Sequence, residues 1–517
     1  MTAPLEIEFK LAIAPGDVER LRAHPHLREV SLGPAQTRPL DNRYFDTPDH
    51  LLAQNAMALR LRRDGERWVQ TLKTAGHGTG AMSTRHEWEM PVAGPRLELA
   101  RLARTPLARL RPMRELAASL APRYATDFTR ELRTIACADG TRAEFAIDIG
   151  EVIVDDAHGR RTAPICEVEV ELLEGEPRTL LRLVQTLARD IALVPCFDSK
   201  AARGDALADR RNRQPVKMPP VAPAADQPVA QALAQALTAG LRCLIANLPS
   251  AIDPAADPEF VHLARVALRR MRSLLQAHRT VLDHPHRLDE LDRHLRTLAH
   301  ALGAARDWDV FCDSTLALLN EPGPATGEDA VRAALMPALT AMAHKHRAAA
   351  HDALWKHLVS RRFSQAMLAI EAMALELSDA QGPTCSAAAR RVLEAEHRRA
   401  VARARGLAGD DAAGLHRLRL DVKRLRYVFD FYTPLYGAEQ ALPYALALAA
   451  LQTRLGRLND LAVAARLLAT VGRATAPERL WQAQLARMLD RHRPKLATHV
   501  MELRAAPRVW MDGAHRS

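Results

Sequence analysis

The sequence predicts a chain with two successive folds: an α+β domain built on antiparallel strands, then an all-α domain. Three observations predict it. Short segments up to about residue 205 alternate apolar and polar residues at period two, a Pro/Ala-rich stretch interrupts the pattern, and helical composition then runs nearly to the end.

The period-two segments are Leu5–Ile13, Ala58–Arg63, Trp68–Lys73, Ser83–Met90, Arg142–Ile149 and Ile165–Leu173, read as strands. Leu97–Leu120 and Pro177–Ile191 read as helices among them. Gln214 to Pro228 carries five prolines and no periodicity, as a linker does. Beyond it Ala, Leu, Arg and Glu dominate, with few β-branched runs. The expected boundaries are 1–210, a linker at 211–228, and 229–510 as two helical repeats of about 229–380 and 385–510.

At 517 residues the chain exceeds one ordinary core, and 48% apolar with 26% charged residues fits a globular protein. Lys and Arg number 72 against 61 Asp and Glu, a net charge of +11. Such a balance points to a polyanionic partner. Aromatic residues are only 4%, which argues against single-stranded nucleic acid, whose binders stack bases on rings. The six cysteines form no CxxC pair, so neither a disulfide framework nor a zinc site is expected. Glu6, Glu8 and Lys10 interrupt the first apolar stretch, unlike a secretory signal. Unbroken apolar runs such as Ala445 to Leu451 are short of a membrane span. The expectation is a cytoplasmic protein with no membrane partner; oligomeric state is not readable.

Alternation puts Glu6, Glu8 and Lys10 on one face of their strand. The same grouping recurs in Glu167-x-Glu169-x-Glu171, Arg60-x-Arg62, Arg85-x-Glu87-x-Glu89 and Glu144-x-Ala146-x-Asp148. A solvated face is the ordinary explanation for one such strand. Like charges two apart lie only about 7 Å from each other and repel, so a surface strand gains nothing from them. Grouped carboxylates suit hard divalent cations, and grouped Arg and Lys suit phosphate oxygens.

These residues resemble the CYTH domain of the triphosphate tunnel metalloenzyme superfamily. The resemblance runs through Glu6-x-Glu8-x-Lys10, Tyr44-Phe45-Asp46-Thr47, Leu59-Arg60-Leu61-Arg62, Gln70-Thr71-Leu72-Lys73, Arg85 with Glu87 and Glu89, Arg130, Asp148, Glu167-x-Glu169 and Ser199-Lys200-x-x-Arg203. It implies an eight-stranded antiparallel β-barrel with a charged tunnel. It also implies Mg²⁺ or Mn²⁺, as two ions, on Glu6, Glu8, Asp148, Glu167 and Glu169, with triphosphate on Lys10, Arg60, Arg62, Lys73, Arg85, Arg130, Lys200 and Arg203. Glu87, Glu89 and Glu171 would be supporting acids. The implied reaction is hydrolysis of tripolyphosphate to pyrophosphate and phosphate. Alternatives are thiamine triphosphate or another organic triphosphate as substrate, or a barrel that binds without catalysis.

In the helical part, His262-x2-Arg265-x3-Arg269-Arg270-x-Arg272 returns as His416-x2-Arg419-x3-Lys423-Arg424-x-Arg426. At about 100° per residue each copy is an amphipathic helix with a cationic polar face. Downstream, Leu302-Gly303-x-x-Arg306-Asp307-x-Asp309 is matched by Leu455-Gly456-x-x-Asn459-Asp460-x-Ala462. The offset is 154 residues at the histidines and 153 at the glycines. Solvated helices usually mix acids with bases at i,i+4, so two nearly pure cationic stripes imply a polyanion. Asp307 and Asp460 are expected to orient arginines or cap helices, and His344, His346 and His351 to lie on the surface.

These motifs resemble the CHAD domain, a helical domain associated with inorganic polyphosphate and often fused to CYTH. The resemblance implies polyphosphate contacts at His262, Arg265, Arg269, Arg270, Arg272, Arg306, His416, Arg419, Lys423, Arg424 and Arg426, with inorganic polyphosphate or polyphosphate granules as the partner; whether the domain targets, feeds or regulates the barrel is not readable. Lys423 stands in place of an arginine. Nucleic acid is the alternative polyanion.

Overall fold

The computed structural model describes residues 5–511 apart from 75, 79, 197, 283–284, 322–327, 407–411, 472–475 and 493. It divides into two units, Met1–Gln214 with Val359–Ala372, and Pro215–Leu358 with Met373–Ser517.

The strands of the first unit are β1 Leu5–Ile13, β2 Gln36–Asp46, β3 Met57–Asp64, β4 Arg67–Thr74, β5 His77–Gly78, β6 Met82–Val92, β7 Ala121–Ala136, β8 Arg142–Asp156, β9 Gly159–Glu174 and β10 Leu193–Pro195. They pair antiparallel in the order β10-β1-β9-β8-β7-β2-β3-β4-β6-β5, and β1 also pairs with β6. That last pairing closes eight strands into a barrel and leaves β5 and β10 as short additions. Closure removes the long free edges an open sheet would expose. The β3–β4 hairpin turns at Gly65, whose φ of 61° lies in the left-handed region that glycine enters without a Cβ penalty.

Outside the barrel, Leu59 and Leu72 pack with Leu102, Leu107 and Leu116, all fully buried. Removing either strand leucine to alanine should cost about 2–5 kcal/mol. The single helix expected over Leu97–Leu120 is corrected to two 3₁₀ turns, Leu99–Leu102 and Pro106–Arg109, and a short helix Met113–Ser119. Pro106 and Pro112 end the turn before them, since proline lacks the N–H and crowds the preceding turn. The helix expected from Pro177 is present as Pro177–Leu187, with Leu180, Leu181, Val184 and Leu187 buried.

The second unit is helical. Val229–Ala251 packs on Glu259–Ala277, which packs on Pro285–Val310; Cys385–Arg405, Ala412–Tyr432 and Ala438–Val471 repeat that order. The two basic helices, Glu259–Ala277 and Ala412–Tyr432, pack against each other. The proline-rich stretch is grouped with this unit. Within it, the backbone N–H of Val216 donates to Asn247 Oδ1 (3.0 Å) and its carbonyl accepts from Asn247 Nδ2 (2.8 Å).

Two expectations need correction here. Val229–Ala251 is long and apolar enough to cross a membrane by length and composition, with 67% of its most apolar window buried inside the protein. A search for unbroken apolar runs passes over it because Gln231, Gln235, Arg242 and Asn247 interrupt the pattern. His351 is not on the surface; it is 2% exposed, facing Asp309 Oδ1 at 2.9 Å and the Ala251 carbonyl at 3.1 Å.

Candidate functional site

Antiparallel register places opposed residues' Cβ atoms about 4.5–5.5 Å apart, which lets side chains on the inner face pair across strands. Lys10 lies opposite Glu169, Arg130 opposite Asp148, Asp148 opposite Glu167, Glu6 opposite Arg85, and Lys73 opposite Glu87. The helix Lys200–Ala208, capped by the Ser199 side chain, packs on β7, β8 and β9 and delivers Lys200 to the same interior.

These strands and the helix start enclose a cavity of about 470 Å³. Lys10, Arg60, Arg62, Lys73, Arg85, Arg130 and Lys200 line it, together with Glu6, Glu87, Glu89, Glu169 and Glu171. Glu8, Asp148 and Glu167 are 2%, 0% and 1% exposed and touch the lining through its cations. Arg203 pairs with Glu167 and with the Pro164 carbonyl, so its present partners are protein groups.

Two knots of charge stand out. In the first, Asp148, Glu167 and Glu169 each offer an oxygen within 4.8 Å of the others. Arg130 holds Asp148 with two hydrogen bonds of 2.8 and 2.7 Å, Lys200 reaches Asp148 at 2.6 Å and Glu169 at 2.9 Å, and Lys10 reaches Glu169 at 2.7 Å. In the second, Arg85 bridges Glu6 and Glu8 at 2.8 Å each, and Lys73 pairs with Glu87 and lies 3.3 Å from Glu6. The five carboxylates grouped as metal ligands by sequence thus fall into a compact trio and a separate Glu6/Glu8 pair.

For Lys10, Lys200, Asp148, Glu169 and Glu87, burial disfavours the charge and the partners outweigh it. Burial pulls the Lys10 ammonium down, but Glu169, Glu8 and Glu167 hold it well above its ordinary range. Burial works the same way against Lys200, which Asp148, Glu169 and Glu167 raise. Asp148 and Glu169 are held low despite burial, Asp148 by Lys200 and Arg130, Glu169 by Lys10, Lys200 and Arg130. Glu87 falls to about 2, with Lys73 overcoming burial. Glu171 goes the other way, to about 8, because burial is reinforced by Glu6, Glu87 and Glu144. Arg62 drops to about 10 from burial and the repulsion of Arg60 and Arg130.

Glu144, Tyr44, Phe128 and Ser199 also line the cavity and carried no assigned role in the sequence reading. Glu144 shares the inner face with Asp148 by alternation, so its signal was present. Tyr44 stacks on Tyr124 (4.9 Å, 22°), and Lys200 and Arg130 lie over the Phe128 ring at 4.8 and 5.8 Å.

A divalent ion fits the compact trio by donor chemistry, since three carboxylates supply the hard oxygens that Mg²⁺ and Mn²⁺ prefer. Lys10, Lys200 and Arg130, which now neutralise the trio, are also lining cations. The same side chains can therefore turn to an anion when the carboxylates are otherwise satisfied.

In the helical unit a cavity of about 300 Å³ is lined by His262, Arg265, Arg269, Arg306, Arg419 and Lys423, with Asp307 and Asp460 as its acids. A second, of about 880 Å³, shares Arg265, Arg419, Asp307 and Asn459 and adds Arg272 and His416. Three predicted residues line neither. Arg270 lies over the Tyr427 ring at 5.7 Å, Arg424 pairs with Glu396 and Asp421 at 2.6 and 3.0 Å, and Arg426 pairs with Asp430 at 2.8 Å. One residue turns a helix by about 100°, so the Arg-Arg and Lys-Arg doublets cannot both face the cavity. Asp307 pairs with Arg466 at 3.0 Å, as an arginine-orienting acid would.

These cavity cations are lowered, as Arg62 is in the barrel, whereas Lys10 and Lys200 there are raised. Lys423 falls to about 6 through burial and the repulsion of Arg269, Arg419 and Arg265. Arg265 falls to about 10 through burial, Arg269 and Arg419. Burial also lowers His262 and Arg419, and the Arg419 Nε is buried without a partner among the described residues.

Comparison with known proteins agrees with this division. The CYTH domain matches residues 4–204 and the CHAD domain matches residues 235–469. An inorganic triphosphatase from Haemophilus influenzae is 32% identical over 207 residues, 40% of this chain and 56% of that protein. The chain thus spans little more than half the length of that curated relative. A CHAD domain from Ricinus communis is 30% identical, covering 57% of this chain and 98% of that one at a TM-score of 0.49. A Hippeastrum protein described by a dominant triphosphatase activity is 20% identical, covering 39% and 95% at a TM-score of 0.29. The chain is a CYTH domain followed by a CHAD domain.

Proposed function

We propose that the barrel is a metal-dependent inorganic triphosphatase, hydrolysing tripolyphosphate to pyrophosphate and phosphate, and that the helical unit binds inorganic polyphosphate. The observation that carries the first part is the cavity in which seven Lys and Arg side chains converge beside a carboxylate trio. Phosphoryl transfer needs positioning and charge neutralisation more than covalent help. Lys10, Arg60, Arg62, Lys73, Arg85, Arg130 and Lys200 would bind the non-bridging oxygens and align the chain. Mg²⁺ or Mn²⁺ on Asp148, Glu167 and Glu169, with Glu6 and Glu8 nearby for a second ion, would supply Lewis-acid polarisation of the phosphoryl oxygens. Burial beside Glu6, Glu87 and Glu144 pushes the Glu171 carboxyl up to about 8, which favours its protonated form at neutral pH.

The substrate class rests on what the lining offers beyond phosphate. Its two aromatic rings are already engaged, Tyr44 on Tyr124 and Phe128 beneath Lys200 and Arg130. Against seven cations and six acids these two rings are a small part of the lining, which favours an inorganic chain. The test is a panel of tripolyphosphate, thiamine triphosphate and ATP with Mg²⁺ or Mn²⁺, run on the full chain. Tripolyphosphate should turn over fastest; equal or faster turnover of an organic substrate would overturn the assignment.

For the helical unit, the convergence of Arg265, Arg269, Arg306, Arg419 and Lys423 on one cavity supports a polyanion, and competition among polyphosphate, DNA and RNA at fixed salt identifies it. The reading includes a cytoplasmic setting at polyphosphate granules. It is consistent with six free cysteines.

A further inference from the structure

The repeated Leu-Gly pairs, Leu302-Gly303 and Leu455-Gly456, have no role in the reading above, and the two glycines meet different surroundings. Both lie inside long helices, Pro285–Val310 and Ala438–Val471, where alanine would favour the helix more. A β-carbon at Gly303 would stand 2.5 Å from Arg265 Nη1. The guanidinium therefore lies directly against the bare backbone of that helix. Asp307, one turn further on the same face, is the acid that steadies Arg265 against Arg269, Arg419 and Arg306. A β-carbon at Gly456 would meet nothing within 4 Å, and Gly456 lines the smaller cavity beside His262, Arg269 and Lys423.

We propose that the two glycines divide one task in polyanion binding: Gly303 is the seat that positions Arg265 between the two cavities, and Gly456 leaves space that a phosphate group fills. Arg265 lines both cavities, so its placement decides whether an anion in either one meets it. Without the seat, the repulsion of Arg269, Arg419 and Arg306 would push it off that position. The inference rests on the polyphosphate reading of the helical unit and adds two positioning residues to it.

The test titrates long-chain sodium polyphosphate into full-length protein at several salt concentrations. Gly303→Ala should bind about tenfold more weakly, the loss of one charge-assisted contact, with a shallower salt dependence. In an Arg265→Gln background the same change should have no further effect. Gly456→Ala should weaken binding to a smaller extent with the salt dependence unchanged. Both variants should melt no lower than the parent, because the clash at Gly303 is with the end of a flexible side chain and alanine suits a helix. An unchanged affinity in Gly303→Ala, or an equal loss with and without Arg265, overturns the seat. An unchanged affinity in Gly456→Ala overturns the phosphate space. Failure of the parent protein to bind polyphosphate, while it melts cooperatively, overturns the underlying reading and this inference with it.

Discussion

The barrel cavity and the helical cavities are both lined with cations, and they differ in what faces those cations. In the barrel each buried lysine has a carboxylate within hydrogen-bond reach, and Lys10, Lys200, Arg85 and Arg130 are all held above their ordinary ranges. In the helical cavity burial and neighbouring cations outweigh Asp307 and Asp460, and Arg265, Arg419 and Lys423 are all held below theirs. The first arrangement is neutralised in advance and can exchange partners when metal and phosphate arrive. In the second, Asp307 and Asp460 offset only part of the repulsion, and an anion entering the cavity would offset more of it. On the proposed reading, the acid-matched site is the one that acts on its anion and the cation-rich site is the one that holds it.

The largest effect that would sharpen this contrast is in the trio. Glu169→Gln removes a carboxylate that both Lys10 and Lys200 contact, and turnover of tripolyphosphate should fall on the order of 10²–10³-fold. Polyphosphate binding by the same variant should be unchanged. Phosphate release and calorimetric titration read the two separately.

A smaller effect concerns pH in the helical cavity. Burial and the repulsion of Arg269, Arg419 and Arg265, opposed by Asp460, push the Lys423 ammonium down to about 6. A bound phosphate raises that value, so binding takes up a proton at pH values above about 6. Affinity should therefore weaken as pH rises above 6, by up to about tenfold per unit. Lys423→Met should flatten this dependence; a parent protein with flat affinity from pH 6 to 8 would break the contrast.

Smaller again is a stability effect in the barrel. The Glu171 carboxyl sits at about 8 when folded, above its ordinary 4.5, so the folded state holds the extra proton. Its contribution is present below pH 4.5 and is lost as pH rises through 8. Glu171→Gln should raise the melting temperature at pH 8.5, by a few degrees, and leave it nearly unchanged at pH 4.5. The smallest effect belongs to cations turned away from the cavities. Arg270→Gln and Arg426→Gln should change polyphosphate affinity by less than about twofold, because their partners are Tyr427 and Asp430.

Much of this was legible in the chain itself, and the limits are physical. Alternation revealed the charged faces of β1, β3, β6, β8 and β9, and the repeat revealed both basic helices. β2 and β7 were not recognised as strands, because residues such as Thr126, Asp127 and Arg130 in Thr126-Asp127-Phe128-Thr129-Arg130 put polar groups on both faces. Partners far apart in sequence were hidden as well. Nothing local marks His351 as the buried partner of Asp309, or Arg424 as paired with Glu396. Composition shows that cations outnumber acids, but only the register and the helix faces decide which of them meet.

The central claim is that the paired barrel cavity performs metal-dependent hydrolysis of an inorganic triphosphate. The most direct measurement is the initial rate of phosphate release from tripolyphosphate by the full chain, with Mg²⁺ or Mn²⁺ and then with excess chelator. The account predicts release with metal, its loss under chelation, and its return when metal is restored. Release that continues unchanged under chelation, or no release with either metal, would contradict it.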